Sequence, residues 1–132
     1  MDNLELVKLA IAAKKNAHVP YSHFKVGAAL LTASGEGFSG ANIECSSYGL
    51  SICAERCALV KAVSEGYKEF SKIAVVGGLE DELTYTTPCG ACRQFLADFN
   101  QDMDVIMGYL EDGELKCKVM KLKELLPETF VL

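Results

Sequence analysis

The hydrophobic pattern of the chain switches repeatedly between a helical period and a strand-like period. Leu4, Val7 and Ile11 recur at three- to four-residue spacing, which predicts an amphipathic first helix. The continuous apolar run at residues 73–76 is instead typical of a strand that is buried on both faces. By these criteria, helices are predicted over residues 3–17, 51–65, 89–99 and 121–126. Strands are predicted over residues 24–32, 38–42, 73–76, 105–110 and 116–120.

The order of these predicted elements indicates a single sheet with helices on both faces, an α/β or α+β class. Ser34, Gly35 and Gly37 lie between the first two strands, so these strands are predicted to form a β-hairpin. A chain of 132 residues fits one domain of common size, and we expect a single domain spanning residues 1–132. The order of the strands within the sheet does not follow from the pattern.

Charge and hydropathy exclude several classes of partner. The chain carries 13 Lys and Arg against 18 Asp and Glu, a net charge of -5, which has the wrong sign for binding a phosphate backbone. Its longest apolar stretch, residues 26–31, is far shorter than the roughly 20 residues that span a bilayer. The first residues are acidic where a signal peptide is basic. We expect a cytoplasmic protein with no nucleic-acid and no membrane partner.

The cysteines carry the strongest chemical signal. Six cysteines without a secretory signal indicate metal binding or catalysis rather than disulfides. Cys89 and Cys92 have the two-residue spacer of zinc sites at the start of a predicted helix, and Cys53 lies near the start of another. Three protein ligands leave one coordination position open for water, as in catalytic zinc sites. We therefore predict a Zn²⁺ cofactor held by Cys53, Cys89 and Cys92.

Two charged residues next to Cys53 fit roles beside such a metal. Glu55 lies on another side of the helix from Cys53, so it is placed to act on the bound water as a general base and acid. Three thiolates and one Zn²⁺ sum to a charge of minus one, which must be offset. Arg56, three residues after Cys53 and on the same helix face, is predicted to donate to a thiolate.

Other arrangements of the same cysteines remain open at this point. Cys57 lies four residues after Cys53 and shares its helix face, so Cys53, Cys57, Cys89 and Cys92 could form a closed structural zinc site. In that case the protein is a binding module and Glu55 has no catalytic role. The Cys89–Cys92 pair also fits a thioredoxin-like redox motif.

Two motifs, Cys53-Ala54-Glu55-Arg56 and the segment 88–94 (PCGACRQ), resemble those of the small homotetrameric cytidine deaminases. The resemblance runs through nearly the whole chain. It implies a three-layer α/β/α fold with a mixed five-stranded sheet. It also implies hydrolytic deamination of cytidine and deoxycytidine in pyrimidine nucleoside salvage, with release of ammonia. In that reaction Zn²⁺ activates a water molecule and Glu55 carries the protons.

Further stretches extend the resemblance to substrate contacts, at residues 20–29 and 42–44. By resemblance, Phe24 stacks on the pyrimidine of a nucleoside substrate, and Asn42 and Glu44 hydrogen-bond the ribose hydroxyls. The backbone at Ala54 is expected to help hold the base.

The resemblance also implies a homotetramer with shared active sites. Tyr48 and Phe130 fall where the family supplies side chains across subunit contacts. Two enzymatic alternatives share the zinc chemistry. One is a blasticidin-S-type deaminase, which fits Phe24 and the 42–44 motif less well. The other is a nucleic-acid-editing deaminase, which the acidic charge disfavours.

Overall fold

The computed structural model describes all residues, 1–132, and contains every helix and strand that the pattern predicts. The helices are α1 (Asn3–Lys14), α2 (Ala54–Ser64), α3 (Gly90–Ala97) and α4 (Leu122–Leu125), with a 3₁₀ turn at Tyr48–Leu50. The strands are β1 (Phe24–Thr32), β2 (Gly37–Ala41), β3 (Phe70–Leu79), β4 (Asp104–Glu111) and β5 (Glu114–Lys121). No helix has the length and apolar character that crossing a lipid bilayer requires.

The strands form one five-stranded sheet in the order β2-β1-β3-β4-β5. β3 and β4 pair in parallel through the crossover that contains α3, whereas every other neighbouring pair is antiparallel. The predicted hairpin of β1 and β2 and the predicted mixed sheet are therefore confirmed.

Alternate residues of the central strands point to opposite faces of the sheet, and each face has its own apolar cluster. On one face, Leu6 and Val7 of α1 pack in a cluster that includes Val76 and Ile106. On the other face, α2 and α3 contribute to a second cluster that includes Val75 of the same strand. The sheet thus lies between two helical layers, as the three-layer prediction requires.

α2 packs unusually close to the sheet, and a glycine permits this approach. A Cβ at Gly40 of β2 would lie 2.6 Å from Ala58 N and 2.7 Å from Ala54 O, both backbone atoms of the helix. Any side chain at this position would push α2 outward. The position of the start of α2, where Cys53 lies, is therefore set by direct contact with β2.

Two helix boundaries differ by three residues from the predicted ones, both because the chain forms long-range backbone bridges. The first helix ends at Lys14 rather than at residue 17, since His18 leaves the helix to bridge with Ile43. Ile43 also bridges with Ile52, which keeps residues 51–53 extended, so that α2 begins at Ala54 rather than at residue 51. Leu4, predicted on the buried face of the first helix, is 45% exposed.

Candidate active site

Two helix N-termini bring the cysteines together. Cys53 is the N-cap of α2, and Cys89 is the N-cap of α3. Neither side chain makes the usual capping hydrogen bond to its own helix. Cys92 follows one turn into α3 and is fully buried. The sulfurs are thus free for another partner, and the positive ends of two helix dipoles lie close to them.

The spacing of the three sulfurs fits a zinc ion. The Sγ atoms of Cys53 and Cys89 lie 3.7 Å apart and those of Cys89 and Cys92 lie 3.4 Å apart. All three sulfurs lie within 4.8 Å of one another. Thiolates at about 2.3 Å from a tetrahedral zinc are separated by about 3.8 Å, close to these distances. The cluster therefore requires little movement to hold Zn²⁺.

The fourth cysteine of the structural-zinc alternative lies elsewhere. Cys57 is absent from the three-cysteine cluster. It lines a separate cavity together with Ser39 and Lys61. The alternative of a closed four-cysteine zinc module is therefore wrong, because Cys57 packs next to Gly40 of β2 and does not join the cluster.

Arg56 contacts the cluster. Its Nη2 donates to Cys53 Sγ at 3.4 Å. Hydrogen bonds from Cys92 and from Arg56 lower the pKa of the Cys53 thiol to about 5. The Nε of Arg56 is buried with no hydrogen-bond partner, so this guanidinium retains an unused donor close to the thiols. The donor set therefore includes a positive charge that offsets part of the thiolate charge.

Glu55 is buried beside the sulfurs. Its side chain is only 3% exposed, and this burial raises the pKa of its carboxyl to about 7. The negative charge of Cys53 raises this pKa further. A carboxyl with such a pKa is able both to hold and to release a proton at neutral pH, which is the property of a general acid and base.

A cavity of about 190 Å³ opens directly onto this cluster. Its lining consists of Phe24, Val26, Asn42, Cys53, Ala54, Glu55, Thr86, Thr87 and Cys89. Six of these nine were singled out from the sequence. Val26, Thr86 and Thr87 were not, although the two threonines precede the Pro88-Cys89 motif directly and this adjacency was the available signal.

The predicted sugar-binding pair is divided between two neighbouring cavities. Asn42 lines the cavity beside the cysteines, where its Oδ1 accepts from Val26 N at 2.9 Å and its Nδ2 donates to Phe24 O at 2.9 Å. Glu44 and Tyr48 line the second cavity, which is about 390 Å³. The structure thus holds the side chain of Asn42 in a fixed orientation.

Phe130 lies apart from both cavities. Its side chain is 67% exposed, and its carbonyl accepts a hydrogen bond from Gln94 Nε2 at 3.0 Å. Within one chain, the structure therefore does not bring Phe130 to the site.

Comparisons with known proteins agree with this geometry. A family model described as the cytidine and deoxycytidylate deaminase zinc-binding region matches residues 1–109. The chain is 50% identical over 125 residues to a probable cytidine deaminase of Dictyostelium discoideum, and this match covers 92% of this chain and 83% of the relative. It is 48% identical over 131 residues to a cytidine deaminase of Halalkalibacterium halodurans, and this match covers 98% of this chain and 95% of the relative.

The fold is also similar to a crystal structure of cytidine deaminase from Burkholderia pseudomallei, with a TM-score of 0.88 and 41% identity over 98% of this chain and 100% of that one. An α/β fold with a three-thiol centre of this kind is that of a zinc-dependent hydrolytic deaminase. The chain belongs to the cytidine and deoxycytidylate deaminase family. The prediction of a zinc cofactor is thereby confirmed.

Proposed function

We propose that this protein hydrolyses cytidine and deoxycytidine to uridine and deoxyuridine, with release of ammonia. The observation that carries the proposal is one shared cavity. It places the thiols of Cys53 and Cys89 and the buried carboxyl of Glu55 next to Phe24, an aromatic ring, and Asn42, an amide. This combination supplies a metal centre, a proton carrier and a surface for a flat heterocycle at one place.

Glu55 is proposed to carry the protons of the reaction. Zinc held by Cys53, Cys89 and Cys92 supplies Lewis-acid activation of water. The Glu55 carboxylate accepts a proton as water adds to C4 of the base. The carboxyl gives that proton to N3. The carboxylate then accepts the remaining proton of the hydroxyl group added at C4 and gives it to the amine, so that the C4–N bond breaks and ammonia leaves. Arg56 is proposed to hold the Cys53 thiolate in place through the 3.4 Å contact.

The remaining site residues are proposed to bind and orient the nucleoside. Phe24 stacks on the pyrimidine, and the backbone at Ala54 holds its polar edge. Asn42 and Glu44 bind the sugar hydroxyls. The lining of the two cavities supports this proposal, since Phe24, Asn42 and Ala54 line the cavity beside the cysteines and Glu44 lines the second.

We propose a homotetramer whose active sites are shared between chains. Tyr48 and Phe130 are 72% and 67% exposed, so one chain alone leaves two large rings in solvent. Leu50 and Val131 beside them are similarly exposed, at 68% and 66%. A neighbouring chain that covers these side chains would complete the site. Light scattering of the purified protein is expected to give four times the chain mass of 14.3 kDa. A monomer would contradict the shared site.

The cellular role that we propose is pyrimidine salvage in the cytoplasm. All six cysteines are free thiols. Thiolate ligands persist in a reducing compartment, where disulfides are rare. We also propose that residues 1–132 form one domain, since both apolar clusters pack against a single sheet.

The direct test of the activity is an ultraviolet assay of cytidine with purified protein. We expect loss of cytidine absorbance with equimolar release of ammonia, inhibition by a zinc chelator and recovery on addition of zinc. Blasticidin S and a cytosine-containing oligonucleotide are the comparison substrates. Faster turnover of either one than of cytidine would overturn the proposed substrate.

A further inference from the structure

We infer that Ser22 is a positioning residue that couples the sugar-binding side of the site to the base-binding side. The inference rests on the proposed function and deepens it. Ser22 itself lines only the second cavity, with Glu44 and Tyr48. Its hydrogen bonds nevertheless extend to Phe24, which lines the cavity beside the cysteines.

The first half of the connection fixes Glu44. The backbone N–H groups of Tyr21 and Ser22 both donate to Glu44 Oε1 at 3.1 Å, and the Ser22 hydroxyl donates to Oε2 at 2.5 Å. A carboxylate has about four acceptor positions in total. Three are therefore occupied by the 21–22 segment, and about one remains for a hydroxyl of the sugar. Glu44 is held in a single orientation before substrate arrives.

The second half of the connection fixes Phe24. The Ser22 Oγ accepts from Phe24 N at 3.0 Å, across His23, whose φ of 61° lies in the left-handed region. Because its one proton goes to Glu44, the hydroxyl can only accept from Phe24. The same oxygen thus joins the carboxylate to the backbone of the proposed base-stacking residue.

The other side of Phe24 is held in the same way by the second proposed sugar contact. Asn42 Nδ2 donates to Phe24 O at 2.9 Å, and Asn42 Oδ1 accepts from Val26 N at 2.9 Å. Both backbone polar groups of Phe24 are therefore bonded to side chains that are tied to sugar recognition. The N–H is bonded through Ser22 and Glu44, and the carbonyl is bonded through Asn42.

A consequence follows for substrate recognition. When a sugar hydroxyl binds Glu44, it binds a carboxylate whose position also fixes the backbone at Phe24. Recognition of the sugar and placement of the base are then not independent, and the hydroxyl contributes to the orientation of the base. Removing the Ser22 hydroxyl should separate the two contributions while leaving Glu44 and Phe24 in the chain.

The test is a cycle of two substrates and matched variants. Cytidine and 2′,3′-dideoxycytidine are compared on the wild type and on Ser22→Ala, with kcat and KM measured separately. Ser22→Thr keeps the hydroxyl, and Ser22→Val has nearly the same shape as the threonine variant but lacks the hydroxyl. The control is Ser34→Ala, because Ser34 donates to Glu36 Oε2 at 2.5 Å in a similar serine–glutamate pair in the β1–β2 turn.

We expect Ser22→Ala to raise KM for cytidine about tenfold and to change kcat less than about threefold, since a lost hydrogen bond to a charged group has about this magnitude. The penalty for removing the sugar hydroxyls is the ratio of kcat/KM for cytidine to kcat/KM for dideoxycytidine. This ratio should shrink about tenfold in Ser22→Ala and in Ser22→Val. Ser22→Thr should retain both the wild-type KM and the wild-type penalty. Ser34→Ala should match the wild type throughout.

Failure of the inference and failure of the proposed function give different results. A wild type that does not deaminate cytidine overturns the proposed function, and the inference with it. An active wild type whose dideoxycytidine penalty is unchanged in Ser22→Ala, or is equal in the Thr and Val variants, overturns the inference alone. If Ser22→Ala does not fold, the Thr and Val pair provides the same comparison.

Discussion

Gly40 lies on β2 beneath the helix whose first turn carries Glu55 and whose N-cap is Cys53. Substitution Gly40→Ala adds a Cβ that would lie 2.6 Å from Ala58 N and 2.7 Å from Ala54 O. Both are backbone atoms of α2, so no side-chain rotation relieves the contact. The helix must move away from the strand.

The size of this movement follows from the distances. The new Cβ would lie 2.6 Å from Ala58 N, whereas ordinary contact begins at 3.4 Å, so α2 must shift by about 0.8 Å. Zinc–ligand distances tolerate changes of only about 0.2 Å. Cys53 moves with α2, whereas Cys89 and Cys92 stay with α3. We therefore expect zinc affinity to fall about 10- to 100-fold and the free energy of unfolding to fall by about 1–3 kcal/mol.

The assay measures zinc competition against a chromophoric chelator, together with urea unfolding of the metal-free protein. The matched control is Gly37→Ala on the same strand, where the new Cβ would meet only the ends of the Leu9 and Met1 side chains, at 3.1 and 3.2 Å. These flexible ends can move aside, so the control should bind zinc normally. Wild-type zinc affinity and stability in Gly40→Ala would refute the argument that contact with β2 positions Cys53.

Three further predictions address single side chains. Cys57→Ser should keep one zinc per chain and near-normal turnover, because Cys57 lies outside the sulfur cluster; loss of zinc on metal analysis would restore it as a ligand. Arg56→Gln should bind zinc about 10- to 100-fold more weakly in chelator competition, because it removes the contact to Cys53 Sγ; unchanged affinity would make Arg56 a scaffold residue. Hydrogen bonds from Ser22 and from the Tyr21 and Ser22 N–H groups hold the pKa of Glu44 below 4.5. Their stabilisation is therefore present above pH 4.5 and lost as pH falls through the folded value. The urea midpoint of the wild type should exceed that of Glu44→Gln at pH 6, and this difference should shrink as the pH is lowered below 4.5; a difference that does not shrink would contradict this linkage.

The fold could be predicted from the sequence as far as local pattern determines structure. The periodicity around Val7 and the apolar run of β3 identify an amphipathic helix and a central strand, because burial imposes those spacings. The end of α1 and the start of α2 could not be predicted, because His18, Ile43 and Ile52 pair across long sequence distances. Strand order is a further long-range property that no local pattern contains.

In the candidate site, too, some residues could be predicted from local sequence, whereas others are brought there only by long-range contacts. The cysteines and Glu55 were identified because zinc chemistry requires particular residue types at particular spacings. Thr86 and Thr87 carry no such signal. They reach the cavity because Thr84 bridges to Gly77 on β3, which brings the following residues alongside Phe24. Ser22 is likewise ordinary in sequence, and only the fold shows that its oxygen lies between Glu44 and Phe24.

The central claim is that a three-thiol zinc centre works with one buried carboxyl. The most direct test measures zinc content and cytidine turnover together in Glu55→Gln, which preserves the size of the side chain and removes its ability to carry a proton. We predict one zinc per chain, as in the wild type, and turnover reduced by at least about 10²-fold. Turnover within a few-fold of the wild type, with zinc still bound, would contradict the account.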